Sequence, residues 1–457
     1  MTVRPGPVFD RDPDPVKGRR VVRMLASAGL VAALIASLAI GLSRRPVPPL
    51  PDLRPSSPPS QGSPPPPPPS ARAEPSTVAG SLRWTLVSAG GESSAYSVTD
   101  VIQRRDGTYL AVAFGQEARV LRSDDGRTWS VEPGDPGLLA AAPDYLSLVT
   151  GLAEGPDGVV AVGSSALLDF SSGDARSWSS SDGLHWEAAR PSRGMADAAM
   201  EGITSGPDGF VAVGSDGFPG ANVQLPGARG AATWTSADGE SWTRGPSQDS
   251  YADAIMRGVV RIGAGYIAWG QTIANARGPF PAPVWTSPDG IRWDRASGIP
   301  DVGGPGTTIT SIVALDDRMV AVGSRRLPEG EGGGSAPGAW TSSDAGRTWS
   351  PAVVADPSRP ARSGGIFDVA TDGKDLIAVG RLEPPNNPDG RGRAAVWRSA
   401  DQGASWRLLP DDSSFSGAMM SRIVVRGSGD VVFGAVDDPN APANVALIWI
   451  AERSSGG

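Results

Sequence analysis

The sequence predicts an all-β fold, a seven-bladed β-propeller, and three observations carry that reading. A fourteen-residue unit ending in an apolar strand recurs seven times, from Asp100, Gly151, Gly202, Gly258, Ser311, Asp368 and Arg422. A second unit, built of a strand, a Ser-x-Asp turn and a Trp, follows it six times in full. The seventh copy is split. Its first strand is ALIWIAE around Trp449, and its missing strand stands at Ser81 to Val87, with Trp84 where the later Trp belongs. A front strand that completes the last repeat closes a ring and hides sheet edges. An open solenoid has no need of such a split.

Each first unit reads as a hairpin. GLAEGPDGVVAVGS from Gly151 and GITSGPDGFVAVGS from Gly202 are a short strand, a Gly/Asp turn and a second apolar strand. The starts fall 51 to 57 residues apart, so a repeat of four strands fits each interval. In the second unit, Ser and Asp side chains can bond nearby backbone, and Gly can take positive φ. Burial of the Trp before the turn and the Trp after it anchors that hairpin. Thirteen of the 14 Trp occupy those two positions; Trp269 alone stands in a second strand.

These turns resemble the Asp-box, or bacterial neuraminidase repeat, whose pattern is Ser/Thr-x-Asp-x-Gly-x-Thr-Trp. Ser342, Asp344, Gly346 and Trp349 fit it fully, and Ser399, Asp401, Gly403 and Trp406 fit with Ser405 for Thr. Four boxes are one residue shorter: Ser123 with Asp125 and Trp129, then Asp182 with Trp186, Asp238 with Trp242, and Asp289 with Trp293. The shorter boxes are expected to turn differently. The resemblance implies a sialidase-like propeller superfamily in which the box is a peripheral structural turn, away from the active face. Sialidases of this kind carry an Arg-Ile-Pro motif, which does not occur here, and usually six blades. No arginine triad can be assigned.

Ahead of the repeats, Met24 to Leu42 is a run of nineteen uncharged residues. At about 1.5 Å per residue it matches a hydrocarbon core. Basic residues crowd its N-terminal side, which predicts a cytoplasmic tail (1–23), a transmembrane helix (24–42) and an extracytoplasmic remainder. A cleaved signal peptide is the competing reading; the run is long for one and no small-x-small site follows directly. Residues 46–75 hold 14 Pro, so the linker 43–80 is expected to extend as polyproline II, reaching on the order of 90 Å. The propeller is assigned to 81–457.

Composition narrows the function. The absence of Cys rules out disulfides and thiolate chemistry, and a single His185 rules out multi-histidine metal sites. A net charge of −8 argues against nucleic acid as a partner. Asp-Gly pairs such as Asp106-Gly107, Asp157-Gly158 and Asp208-Gly209 lack the spaced ligands of a calcium loop and read as turns. No metal or cofactor is expected.

The box turn takes one face, so the second-to-third-strand and blade-to-blade loops take the other. Several are long: Ser215 to Gly230, Gln271 to Pro283, Arg325 to Gly338 and Arg381 to Arg393. The start of each inner strand is expected at the channel mouth on that loop face. Asp100, Asp368 and Arg422 fall there on blades 1, 6 and 7, neighbours in a closed ring, with Glu201 and Arg257 one position earlier on blades 3 and 4. They either contact a ligand or close the ring as ion pairs. The function expected is a membrane-anchored, non-catalytic binding or scaffold module for an extracytoplasmic protein or glycan. The alternative is a sialidase-like exo-glycoside hydrolase.

Overall fold

In the computed structural model the described residues are 82–87 and, from 97 to 453, all but 115–117, 133–137, 139–144, 168–169, 220–226, 274–281, 297–305, 316–317, 328–333, 356–362, 384–391, 427–428 and 437–445. The expected tail, transmembrane helix and proline-rich linker lie outside them. Among the described residues, no helix is long and apolar enough to cross a membrane.

The strands form seven sheets, one per repeat. Blade 3 is typical: Ala198–Gly206, Gly209–Asp216, Gly230–Ser236 and Thr243–Arg244 pair in chain order. First strands of successive blades contact one another all the way round, and Ser97–Gln103 of blade 1 meets Ala418–Arg426 of blade 7. The seventh blade is closed as the split repeat implies. Leu82–Val87 pairs antiparallel with Ala446–Arg453, from Leu82 opposite Arg453 to Val87 opposite Ile448. Trp84 packs edge-on against Phe415, with centroids 5.3 Å apart.

The core is a ring of layers between blades rather than one centre. The Trp pair of each of blades 2 to 7, and the single Trp129 of blade 1, packs toward the preceding blade. Trp234 and Trp242 share a layer with Val160 and Val162 of blade 2, and Trp397 and Trp406 share one with Val320 and Val322 of blade 5. The third-strand indoles are fully buried, and three of them donate to the short 3-10 turn that leads into their own blade: Trp234 to Gly194 O at 2.8 Å, Trp285 to Ser250 O at 2.8 Å, and Trp449 to Ser414 Oγ at 3.1 Å. Burying an indole without an acceptor would cost about 1–3 kcal/mol, so these turns and the Trp positions support each other.

The six box turns share one hydrogen-bond network. In blade 1, Gly126 N donates to Ser123 Oγ (2.8 Å), Arg127 N and Thr128 N donate to Asp125 Oδ1 (2.7 and 2.8 Å), and Trp129 Nε1 donates to Gly126 O (3.0 Å). Backbone N–H donors, foremost those of Thr128, His185 and Ser241, hold Asp125, Asp182 and Asp238 below the usual carboxylate range. The longer boxes do turn differently. Their extra residue takes left-handed backbone (Ala345 at φ 60°, Gln402 at φ 56°) just before the left-handed Gly. The bond to Ser342 Oγ then comes from Gly346, four residues on, where the short boxes use three. His185 is exposed and its Nδ1 lies 2.7 Å from Asp182 Oδ2.

Two features have no counterpart in the repeat pattern. Blade 6 carries a fifth strand, Val353–Val354, parallel to Ser405–Leu408. And every first strand carries a β-bulge at one equivalent position: Thr99, Thr150, Glu201, Arg257, Thr310, Phe367 and Ser421. Opposite the bulge, six blades place a Gly in the second strand. A Cβ there would lie 1.8–2.1 Å from a first-strand carbonyl oxygen, as Gly214 shows against Ala199 O and Gly323 against Thr308 O. The recurring Ala-Val-Gly of the sequence is therefore a steric requirement of the bulge. Blade 1 alone has Ala113 at that position, opposite Val98.

Candidate functional site

Antiparallel order puts the first-to-second turns and the box turns on one face. The second-to-third connections and the blade-to-blade connections emerge on the other. Leu82 pairs with Arg453, so the closing strand enters, and its partner leaves, on the box-turn face. The segment preceding Leu82 therefore joins the propeller opposite the loops.

The charged residues singled out from the sequence lie on the channel wall, but not at its mouth. Asp100, Asp368 and Arg422 sit mid-strand, directly after the bulge. The strands begin earlier than the alternation suggested, because the bulge breaks the two-residue period. Val98, Ile366 and Met420, just ahead of it, are paired and buried too. The residues thus form part of a ring at the waist of the channel.

Asp100 and Asp368 are built into that ring in the same way. Asp100 Oδ1 accepts from Val101 N of its own strand (2.9 Å), and Oδ2 accepts from Leu152 N of blade 2 (2.8 Å). Asp368 Oδ1 accepts from Val369 N (2.9 Å), and Oδ2 from Ile423 N of blade 7 (3.0 Å). Each carboxylate stitches one blade to the next through backbone N–H groups. Arg422 stands between them in the ring and attracts both, while its Nη1 donates to Ser421 O at 2.8 Å. Burial nevertheless dominates for Asp100: its carboxyl is pushed up to about 6, against the pull of Arg422 and the two donated bonds, with Asp368 adding to the rise. Burial likewise raises Asp368, opposed by Arg422, Ile423 N–H and the Ser311 hydroxyl.

Glu201 and Arg257 are bulge residues, and they pair across blades 3 and 4 at 2.9 Å, both side chains about 15% exposed. Arg257 also reaches Gln271 Oε1 at 3.4 Å. The sequence reading missed two further links. Thr150 Oγ1 donates to Met200 O of blade 3 (2.8 Å), and Thr310 Oγ1 to Ile366 O of blade 6 (2.7 Å). Threonine in three of the seven bulges was the available signal. Among the described residues no group of three or more His, Asp or Glu is placed to hold a metal ion. The box residues stay in their turns, away from this ring. A separate cavity of about 440 Å³ lies on the box-turn side of blades 2 and 3, lined by Asp157, His185, Phe210 and Asp238 among others.

No family model matches the chain, and no curated protein matches it in sequence. Solved structures similar to it are propellers of differing activity. The WD40 β-propeller domain of Doa1 aligns over 81% of this chain and 98% of its own at 9% identity and a TM-score of 0.46. A PL25 ulvan lyase aligns over 81% and 96% at 11% identity and 0.49. A Trypanosoma rangeli sialidase aligns over 79% of this chain and 53% of its own at 13% identity and 0.35. The class that the strands themselves define is a seven-bladed β-propeller.

Proposed function

We propose that this chain is a membrane-anchored, extracytoplasmic propeller that binds a protein or glycan on its loop face and does no chemistry of its own. The observation that carries the reading is the engagement of the ring's carboxylates. Asp100 and Asp368 each spend both oxygens on backbone N–H groups, and Glu201 is paired with Arg257. A glycoside hydrolase needs two carboxylates facing the scissile bond, one able to donate a proton and one free to attack or to activate water. Carboxylates that fasten blades together are poorly placed for that work.

The point of attachment supports the same reading. The Met24 to Leu42 helix and the proline-rich spacer would lead to Leu82 on the box-turn face, leaving the loop face turned away from the membrane. Loops on a rigid scaffold are where recognition concentrates. The test is in-cell crosslinking of the full-length protein with and without shortening of 327–334 and 384–392, the blade 5 and blade 6 loop-face connections. A captured partner lost on shortening supports binding there. Cleavage of a glycoside by the purified protein, abolished by Asp100→Asn, would replace this reading with the hydrolase.

A further inference from the structure

The ring has an uneven charge. On blades 3 and 4, Glu201 and Arg257 cancel. On blades 6, 7 and 1, two carboxylates flank one guanidinium: Asp368, Arg422, Asp100. These three lie on the first strands of blades 6, 7 and 1, at the opposite edge of the blade 7 sheet from the closing strand Leu82–Val87. Asp368 ties blade 6 to blade 7 through Ile423 N, and Asp100 ties blade 1 to blade 2 through Leu152 N. With both acids ionised, these three side chains carry one net negative charge between them.

We propose that the Asp100–Arg422–Asp368 cluster is a proton-sensitive latch: uptake of one proton neutralises the excess charge and tightens the inner ring from blade 6 through blades 7 and 1 to blade 2. The raised carboxyl of Asp100 agrees with this direction. A group that holds its proton more firmly in the closed ring than in the open chain favours closure as the pH falls. Other charged and titratable groups on the packed strands lie toward the strand ends. Around Asp100 these are Glu154, held by Arg104 at 3.5 Å, with Tyr109 and Asp430 at the box-turn end and Tyr145 at the loop end. Around Asp368 they are Arg381 and Glu383 on its own blade and Arg325 and Arg326 on blade 5, all toward the loop face. Arg426 ends the blade 7 strand at the box-turn side. Arg422 is the basic residue at the waist between the two acids.

The test is hydrogen exchange of the full-length protein between pH 5 and 7.5, corrected for intrinsic rates, read in peptides covering 97–103, 149–155, 364–371 and 420–426. Protection should rise about tenfold from pH 7.5 to pH 5, as a carboxyl raised to about 6 takes up its proton. Asp100→Asn should abolish most of the change. Arg422→Gln, which removes the cation that pulls both carboxyls down, should move its midpoint to higher pH, whereas Glu201→Gln should leave the midpoint in place. A purely structural role predicts looser exchange at every pH with no moved midpoint. Protection independent of pH in the unsubstituted protein, or a midpoint unmoved by Arg422→Gln, overturns the proposal.

Discussion

Replacing Gly323 by Ala tests the link between the bulge and the sequence most sharply. The added Cβ would stand 1.9 Å from Thr308 O and 2.9 Å from its carbonyl carbon, both backbone atoms of the paired strand. Ordinary contact needs more than 3 Å, so the two innermost strands of blade 5 must separate by over an ångström or the bulge at Thr310 must straighten. Overpacking alone costs about 1–3 kcal/mol. Moving Thr310 also endangers its bond to Ile366 O of blade 6, worth about 1 kcal/mol more. The expected loss is therefore about 3 kcal/mol, or roughly 6 °C in Tm at about 2 °C per kcal/mol for a large domain. Thermal melts followed by tryptophan fluorescence read it directly. The mirror substitution, Ala113→Gly in blade 1, should cost less than about 1 kcal/mol, because that blade already accommodates a Cβ. A Gly323→Ala protein melting within a degree of the unsubstituted one would refute the steric account of the Ala-Val-Gly repeat.

Three further outcomes are expected. Ser342→Ala strips Gly346 N–H of its acceptor and Asp344 of a donor, costing about 1–2 kcal/mol in urea denaturation. Trp84→Ala removes the edge-on contact with Phe415 and should cost about 3 kcal/mol, with limited proteolysis cutting first near the closing strand. Arg257→Gln leaves the largely buried Glu201 unpaired and should cost about 1–3 kcal/mol; adding Glu201→Gln should recover part of it, as a double-mutant cycle would show.

Much of the architecture was legible because it rests on short-range rules. The box turns needed only Ser, Asp and Gly at fixed spacing, and the closing strand declared itself through Trp84. The extra residue in the long boxes was visible, but its left-handed Ala345 and Gln402 were not, since neither residue type favours that conformation. The bulges escaped because the bulged residues share no chemistry: Thr, Glu, Arg, Phe and Ser all serve. Their sequence mark lies on the opposing strand, in the Gly that a Cβ would foul. That same break in alternation hid the mid-strand position of Asp100, Asp368 and Arg422. The partners of the two aspartates are backbone groups on neighbouring blades, 52 and 55 residues away, and backbone donors leave no trace in side-chain patterns.

The central claim is that recognition belongs to the loop face. It is tested most directly by site-specific photocrosslinking in cells, with probes at two exposed positions on opposite faces. Arg326 ends a strand on the loop face, and Ile291 sits in the blade 4 box turn, 43% exposed. The account predicts reproducible capture of one partner from position 326 and none from position 291. Capture of that partner from position 291 alone would contradict it.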